Sequence, residues 1–169
     1  TFYEVVGSPN LTIIGNKYLL LSTDIPYPQE RSKSKYSDII YVPYSEKLQR
    51  PELIDAGKKY IQEKADVAFD NLKTLSVTSR SIPGSLVTDV VNKDFVKNIM
   101  VVEHIDPTSF ALSSDGGQAL SNKVLTIIAT NQGKAYSYTG SPAGASGIAQ
   151  FIGSTYKSMV KSYPEANLI

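Results

Sequence analysis

The spacing of apolar residues changes along the chain, and each change marks an expected element. Up to about Tyr44 the apolar positions come in short β-type runs. Leu11-Thr-Ile-Ile and Lys17-Tyr-Leu-Leu-Leu-Ser flank Gly15-Asn16, a pair suited to the positive φ of a tight turn, and so predict a hairpin. Residues 2–6 and 38–42 are further strand candidates, with the proline-rich Ile25-Pro-Tyr-Pro-Gln as a loop between them. From about Arg50 to Ser76 the period becomes helical. Ile54, Ile61, Ala68 and Leu75 recur every seven residues with Ala65 and Leu72 between them, Pro51 suits the first turn, and Glu52 and Asp55 suit the N-terminal dipole. Residues 79–85, containing Ile82-Pro83-Gly84, break the pattern and divide the chain into residues 1–80 and 81–169.

In the second half, Val87, Val90, Val91, Phe95, Ile99, Met100 and Val102 form an apolar stripe in which Asn92 is a candidate N-cap, and Pro107 forces any helix to stop at or before Asp106. Ser113-Ser-Asp-Gly-Gly117 reads as a turn. Ala119, Leu120, Val124, Leu125, Ile127 and Ile128 then predict a buried helix ending at Asn131-Gln-Gly133. Residues 134–139 alternate like a short strand. Gly140-Ser-Pro-Ala-Gly-Ala-Ser-Gly leads into Ile148, Phe151, Ile152 and Tyr156 at helical spacing, so a tight loop of small side chains is expected to deliver an amphipathic helix with one inward amide, Gln150. A glycine-rich hairpin ahead of a helix is the plainer account of the same residues.

Composition narrows the function classes. The chain has 169 residues, 41% of them hydrophobic and 20% charged, enough to bury a core, and a net charge of +1 gives no sign of a nucleic-acid partner. The short basic cluster Arg31, Lys33, Lys35 reads as a solvated loop, and tyrosines 3, 18, 27, 36, 41 and 44 read as packing residues before they read as a sugar-stacking face. No cysteine is present, which removes disulfides and thiolate metal sites. No apolar run is long enough for a membrane span.

The order Ser-Pro-Ala-Gly-Ala-x-Gly-x-x-Gln-Phe, followed by Ser-Thr-Tyr156, closely resembles the signature of the lysozyme-like lytic transglycosylases. The resemblance covers residues 140–156. It implies an α+β fold with a mainly helical lysozyme-like domain over residues 81–169, preceded by a small α/β accessory region. Family members continue past the signature helix, so this domain is expected to be incomplete at its C-terminus. A further implication is an extracytoplasmic protein whose partner is the glycan strand of peptidoglycan, with no cofactor, no metal and one upstream glutamate for the chemistry.

That glutamate is sought in Ile99-Met-Val-Val-Glu103-His-Ile-Asp106. Glu103 follows four apolar residues at a helix C-terminus. The dipole and an apolar surround both favour the protonated acid, which is what glycosidic cleavage needs to protonate its leaving-group oxygen. Taken alone, Glu103 reads first as a solvated helix-end carboxylate, and only the downstream motif turns the balance to catalysis. In the family an apolar helix ends in the catalytic glutamate, and serine or threonine typically follows where this chain has His104.

The resemblance then implies cleavage of the β-1,4 bond between N-acetylmuramic acid and N-acetylglucosamine. Glu103 protonates the bridging oxygen and, as carboxylate, deprotonates the muramyl 6-hydroxyl that closes a 1,6-anhydro ring. Ser141, Gly147, Ile148 and Gln150 are the expected sugar-binding positions, with Tyr138 stacking on the sugar. From their positions alone, Tyr136 and Tyr138 are as well suited to packing as to lining a groove, and Asp115, in a Gly-Ser turn, to accepting local hydrogen bonds as to acid chemistry. Glu103, His104 and Asp106 have the wrong helical spacing for a metal trio. A binding module that holds wall glycan without cutting it, or a structural component of an envelope or phage assembly, are the alternatives.

Overall fold

The computed structural model describes residues 11–14, 18–23, 37–131, 135–136 and 144–168. It is mostly helical. Strands β1 (Leu11–Ile14), β2 (Tyr18–Thr23) and β3 (Ser37–Tyr41) form an antiparallel sheet in sequence order, with Ile14 opposite Tyr18 and Leu19 opposite Tyr41. The antiparallel pairing expected of the hairpin strands and the strand near residues 38–42 are both present; the turn expected at Gly15-Asn16 lies outside the described residues. The expected strand at 2–6 lies outside the described residues.

A short 3₁₀ turn, Glu46–Leu48, leads to α1 (Pro51–Thr74), which begins with Pro51 as anticipated. Then come α2 (Val87–Val90), α3 (Lys93–Val102), α4 (Pro107–Ala111) and α5 (Gln118–Asn131). The two-residue strands β4 (Ala145–Ser146) and β5 (Phe151–Ile152) pair antiparallel, and α6 (Gly153–Ser162) and a 3₁₀ turn, Pro164–Ala166, follow.

The core is the seam between α1 and α5. Ile61, Val124, Leu125, Ile127, Ile128 and Ala135 form its buried cluster, with Tyr44, Ile54, Met100, Val101, Ile105, Tyr136 and Ile148 packed against it. The inward face of α1 runs through Gly57, Ile61 and Ala65, whereas Ala68 is exposed. Ala68 lies only about 20° round the helix from Ile61, so it is exposed not because its face differs but because the buried run ends at Ala65 along the helix. Gly57 lies where the two helices cross. A Cβ there would run into the Leu125 carbonyl group, 2.8 Å from its carbon, so only glycine permits this approach.

The break at 79–85 is indeed a turn, closed by a bridge between Thr78 and Leu86 and by Ser79 N–H donating to the Ser85 carbonyl (2.8 Å). It does not separate two cores, because α1 on one side packs on α5 on the other. Asn131 extends that joint to the sheet: its Oδ1 accepts from Val42 N–H (2.7 Å) and its Nδ2 donates to the Val42 carbonyl (3.0 Å). At the far end, Arg80 donates to the Ser162 carbonyl (2.8 Å) and pairs with Glu165, fastening the C-terminal end of α6 to the 79–85 turn.

Two expectations are corrected. The stripe over residues 87–102 is two helices: Val91 leaves the helical region (φ −90°, ψ 123°), and Asn92 caps α3, its Oδ1 accepting from Phe95 N–H at 3.0 Å. The helix expected from Ile148 begins only at Gly153. Gly147 (φ 78°) and Gln150 (φ 48°) are left-handed, which closes residues 147–150 into a turn and pairs Ala145 with Ile152 and Ser146 with Phe151. Phe151, Ile152 and Tyr156 are consequently exposed rather than forming an inward face.

Candidate active site

α3 ends at the candidate acid, Glu103. Its end tightens before it stops: Glu103 is the C-cap (φ −59°, ψ −14°), His104 N–H donates to the Val101 carbonyl (3.2 Å) and Ile105 N–H to the Val102 carbonyl (2.9 Å). Successive residues of a helix point about 100° apart. Here His104 and Ile105 turn inward, and Glu103 faces outward and is exposed. The apolar shelter expected around this carboxyl does not form, because Met100 and Val101 take the buried face and Phe95 and Val102 are themselves exposed.

His104 joins this helix end to the glycine-rich turn. Its Nε2 lies 2.8 Å from the Ile148 carbonyl oxygen, and its ring stacks on Tyr136 with centroids 3.5 Å apart and planes 14° from parallel. Burial holds its pKa below the ordinary histidine value, against the opposing effects of the Ile148 bond and the Glu103 charge. A half-buried neutral imidazole that donates Nε2–H to a carbonyl has its tautomer fixed by that bond. Tyr136 is left-handed (φ 62°) in a turn; the rest of the strand expected over 134–139 lies outside the described residues.

Of the expected sugar-binding residues, the fold brings Gly147, Ile148 and Gln150 to one turn beside the end of α3. Ile148 is half-buried and packs on the core, so its backbone is the part turned to His104. Gln150 folds back on its own turn, both its N–H (3.1 Å) and its side-chain Nε2 (2.7 Å) donating to the Gly147 carbonyl. At Gly144 and Gly147 a Cβ would meet no heavy atom within 4 Å, so this side of the loop backbone faces open space. Tyr138 and Ser141 lie outside the described residues.

The neighbouring acids have structural tasks. Pro107 does not merely end α3; it opens α4, for which Asp106 is the N-cap, accepting from Ser109 N–H (2.7 Å) and Oγ (2.9 Å). Those bonds hold the Asp106 carboxyl below the usual carboxylate range. Asp115 accepts from Gly117 N–H (3.0 Å) and Ala119 N–H (2.8 Å), the local role its turn suggested. Among the described residues no group of histidine and carboxylate side chains could hold a metal ion, and no helix is long and apolar enough to cross a membrane.

The bond between His104 and the turn was not legible in the sequence. The only signal was the chain's single histidine, standing directly after the candidate acid. Comparison with protein-family models, curated proteins and solved structures returns no match to this chain.

Proposed function

We propose that this chain carries the acid and the glycan-facing turn of a peptidoglycan lytic transglycosylase acting outside the cytoplasm. The observation that carries the reading is the bond from His104 to Ile148, which sets the helix end bearing Glu103 against the turn of the signature-like segment. The outward face of α3 adds to it. Phe95 and Val102, seven residues apart, share an exposed face of α3, and Glu103 follows Val102 about 100° round the helix.

In this reading the apolar faces of the sugars lie along that face and along the open backbone at Gly144 and Gly147. The bound strand displaces water from Glu103 and so supplies the shelter that the free protein lacks. Glu103 then protonates the bridging oxygen between N-acetylmuramic acid and N-acetylglucosamine. As carboxylate it takes the proton of the muramyl 6-hydroxyl, whose oxygen attacks the anomeric carbon to close the 1,6-anhydro ring. The same residue gives and regains one proton, so no second carboxylate and no metal enters the scheme.

Incubating the protein with purified peptidoglycan and analysing the products by mass spectrometry tests this. Anhydro-muropeptides are expected, and Glu103→Gln lowers their formation by roughly 10²–10⁴-fold, the usual contribution of general acid–base catalysis. Reducing-end products instead point to hydrolysis, and absence of products overturns the enzymatic reading.

A second reading is a module that holds wall glycan, or a structural part of an envelope or phage assembly, without cleavage. The exposed Glu103 and the Gln150 amide turned back on Gly147 favour it. Under that reading Glu103→Gln binds glycan as well as the wild type does and neither protein releases product.

A further inference from the structure

We propose that α6 is a conditionally folded strap, and that Arg80 in the 79–85 turn is the latch that keeps its C-terminal end closed. Alone, this helix has little reason to form. Its ten residues include one glycine, three serines, a threonine and a valine, all weak helix formers. Its N-cap, Ile152, makes no side-chain cap bond, and without an acidic residue the helix has neither a first-turn charge to meet its dipole nor an internal ion pair. Isolated helices shorter than about 12–15 residues are marginal in water even with better sequences.

Packing does not make up the deficit. No residue of α6 is fully buried; Met159 and Val160 are half-buried, neither belongs to the cluster around the α1–α5 seam, and the rest of the helix is exposed.

The helix is held from outside, at both ends. At its start it continues from β5, which pairs with β4, where Ala145 is buried; Ile148 in the intervening turn packs on the core, and Tyr156 adds an interaction of its own. At its finish the hold is Arg80. Nε (3.0 Å) and Nη2 (2.8 Å) both donate to the carbonyl of Ser162, the last helical residue, a group that the helix itself cannot satisfy. Nη2 also pairs with Glu165 (2.8 Å), Nη1 donates to Thr78 Oγ1 (3.2 Å), and the guanidinium lies over the Tyr163 ring, 4.9 Å from its centroid. A cation here meets the negative end of the helix dipole as well. The arginine stands on a fixed base, since the Thr78–Leu86 bridge and the Ser79–Ser85 bond close its turn and Val77 ahead of it is buried.

Such a latch is reversible. The Arg80 and Glu165 side chains are 48% and 31% exposed, so dissolved salt screens the pair and water can replace its hydrogen bonds. The near anchor is strand-paired and apolar, the far one charged and wet. Opening therefore starts at Ser162 and runs back toward β5, leaving the α1–α5 core intact. In the transglycosylase reading α6 is the helix that follows the glycan-facing turn, so opening it loosens that turn's downstream support; this consequence rests on that reading, and the strap itself does not.

Native-state hydrogen exchange of the full chain at neutral pH, referenced to intrinsic rates, tests the strap. In the wild type, the amides of residues 157–163 are expected to open at a lower free energy than those of α5. Their protection falls about twofold to threefold between low salt and about 0.5 M NaCl, the size of an exposed ion pair, while α5 is unaffected. Arg80→Gln, which loses the charge and the fork, lowers α6 protection about tenfold and removes most of the salt response. Glu165→Gln leaves the bonds to Ser162 in place and costs only the two- to threefold of the ion pair. Amides of α5 are unchanged in both variants.

Wild-type α6 amides that exchange only together with α5, in one global event, overturn the proposal without any variant. So does an Arg80→Gln protein whose α6 amides are as protected as those of the wild type. If α6 opens as described but peptidoglycan yields no anhydro-muropeptides, the strap stands and only its consequence for the glycan-facing turn falls.

Discussion

The α1–α5 seam and the 144–153 segment both depend on glycine, for opposite reasons. Gly57 has ordinary helical geometry and is glycine because the Leu125 backbone leaves no room for a side chain. Gly147 has ample room and is glycine because its φ of 78° is one that other residues seldom adopt. In the seam, burial sets the structure and the backbone follows. In the turn, a few backbone angles set the structure, and the side chains face wherever those angles send them. The first kind of region fails as a whole when its packing is disturbed; the second fails locally.

Four substitutions break or sharpen this contrast. The largest effect is expected at Ile128, fully buried in the seam, where Ile128→Ala lowers global stability by about 3–4 kcal/mol in urea denaturation, as transfer and cavity costs add. Next comes Gly57→Ala. Helix propensity alone would make it stabilising by about 1 kcal/mol, but the clash is with a carbonyl group that cannot rotate away. Overpacking wins, with a net loss of about 2 kcal/mol. A stabilised variant would mean that the helices do not cross so closely.

Gly147→Ala is smaller, about 1 kcal/mol, because only the left-handed conformation is penalised. It should appear in hydrogen exchange as increased opening of the turn with α5 amides unaffected. The smallest is Gln150→Gly, which relieves one left-handed side chain (φ 48°) and removes one side-chain bond to Gly147. These terms offset to within about 0.5 kcal/mol, and a large change in either direction would give the Gln150 side chain a role beyond shaping the turn.

The same contrast explains which parts were legible. α1, α5 and the capped start of α3 follow from apolar spacing, a first-turn proline and an N-cap asparagine, all local signals. The plainer account of the glycine-rich segment, a hairpin ahead of a helix, is what forms at residues 145–162; the amphipathic helix from Ile148 was misplaced because Ile148, Phe151, Ile152 and Tyr156 do have helical spacing, and only the left-handed angles at Gly147 and Gln150 break it. Pro107 was recognised as a stop but not as the first residue of α4, although Asp106 before it is a good N-cap. Asn131 was read as the end of a helix and also serves to bind Val42, a partner 89 residues away that no window contains.

By itself, the sequence determined the long helix and its buried partner, the short strands ahead of them, and the candidate acid at a helix end, because periodicity, capping and proline act over a few neighbouring residues. Tertiary structure decided that the two halves share one core, that His104 rather than Glu103 turns inward to meet the glycine-rich turn, and that the candidate acid is exposed. Those outcomes depend on which face of α3 the α1–α5 seam can accept. Met100, Val101, His104 and Ile105 fill that face, and Glu103, between them in sequence, is left on the exposed side.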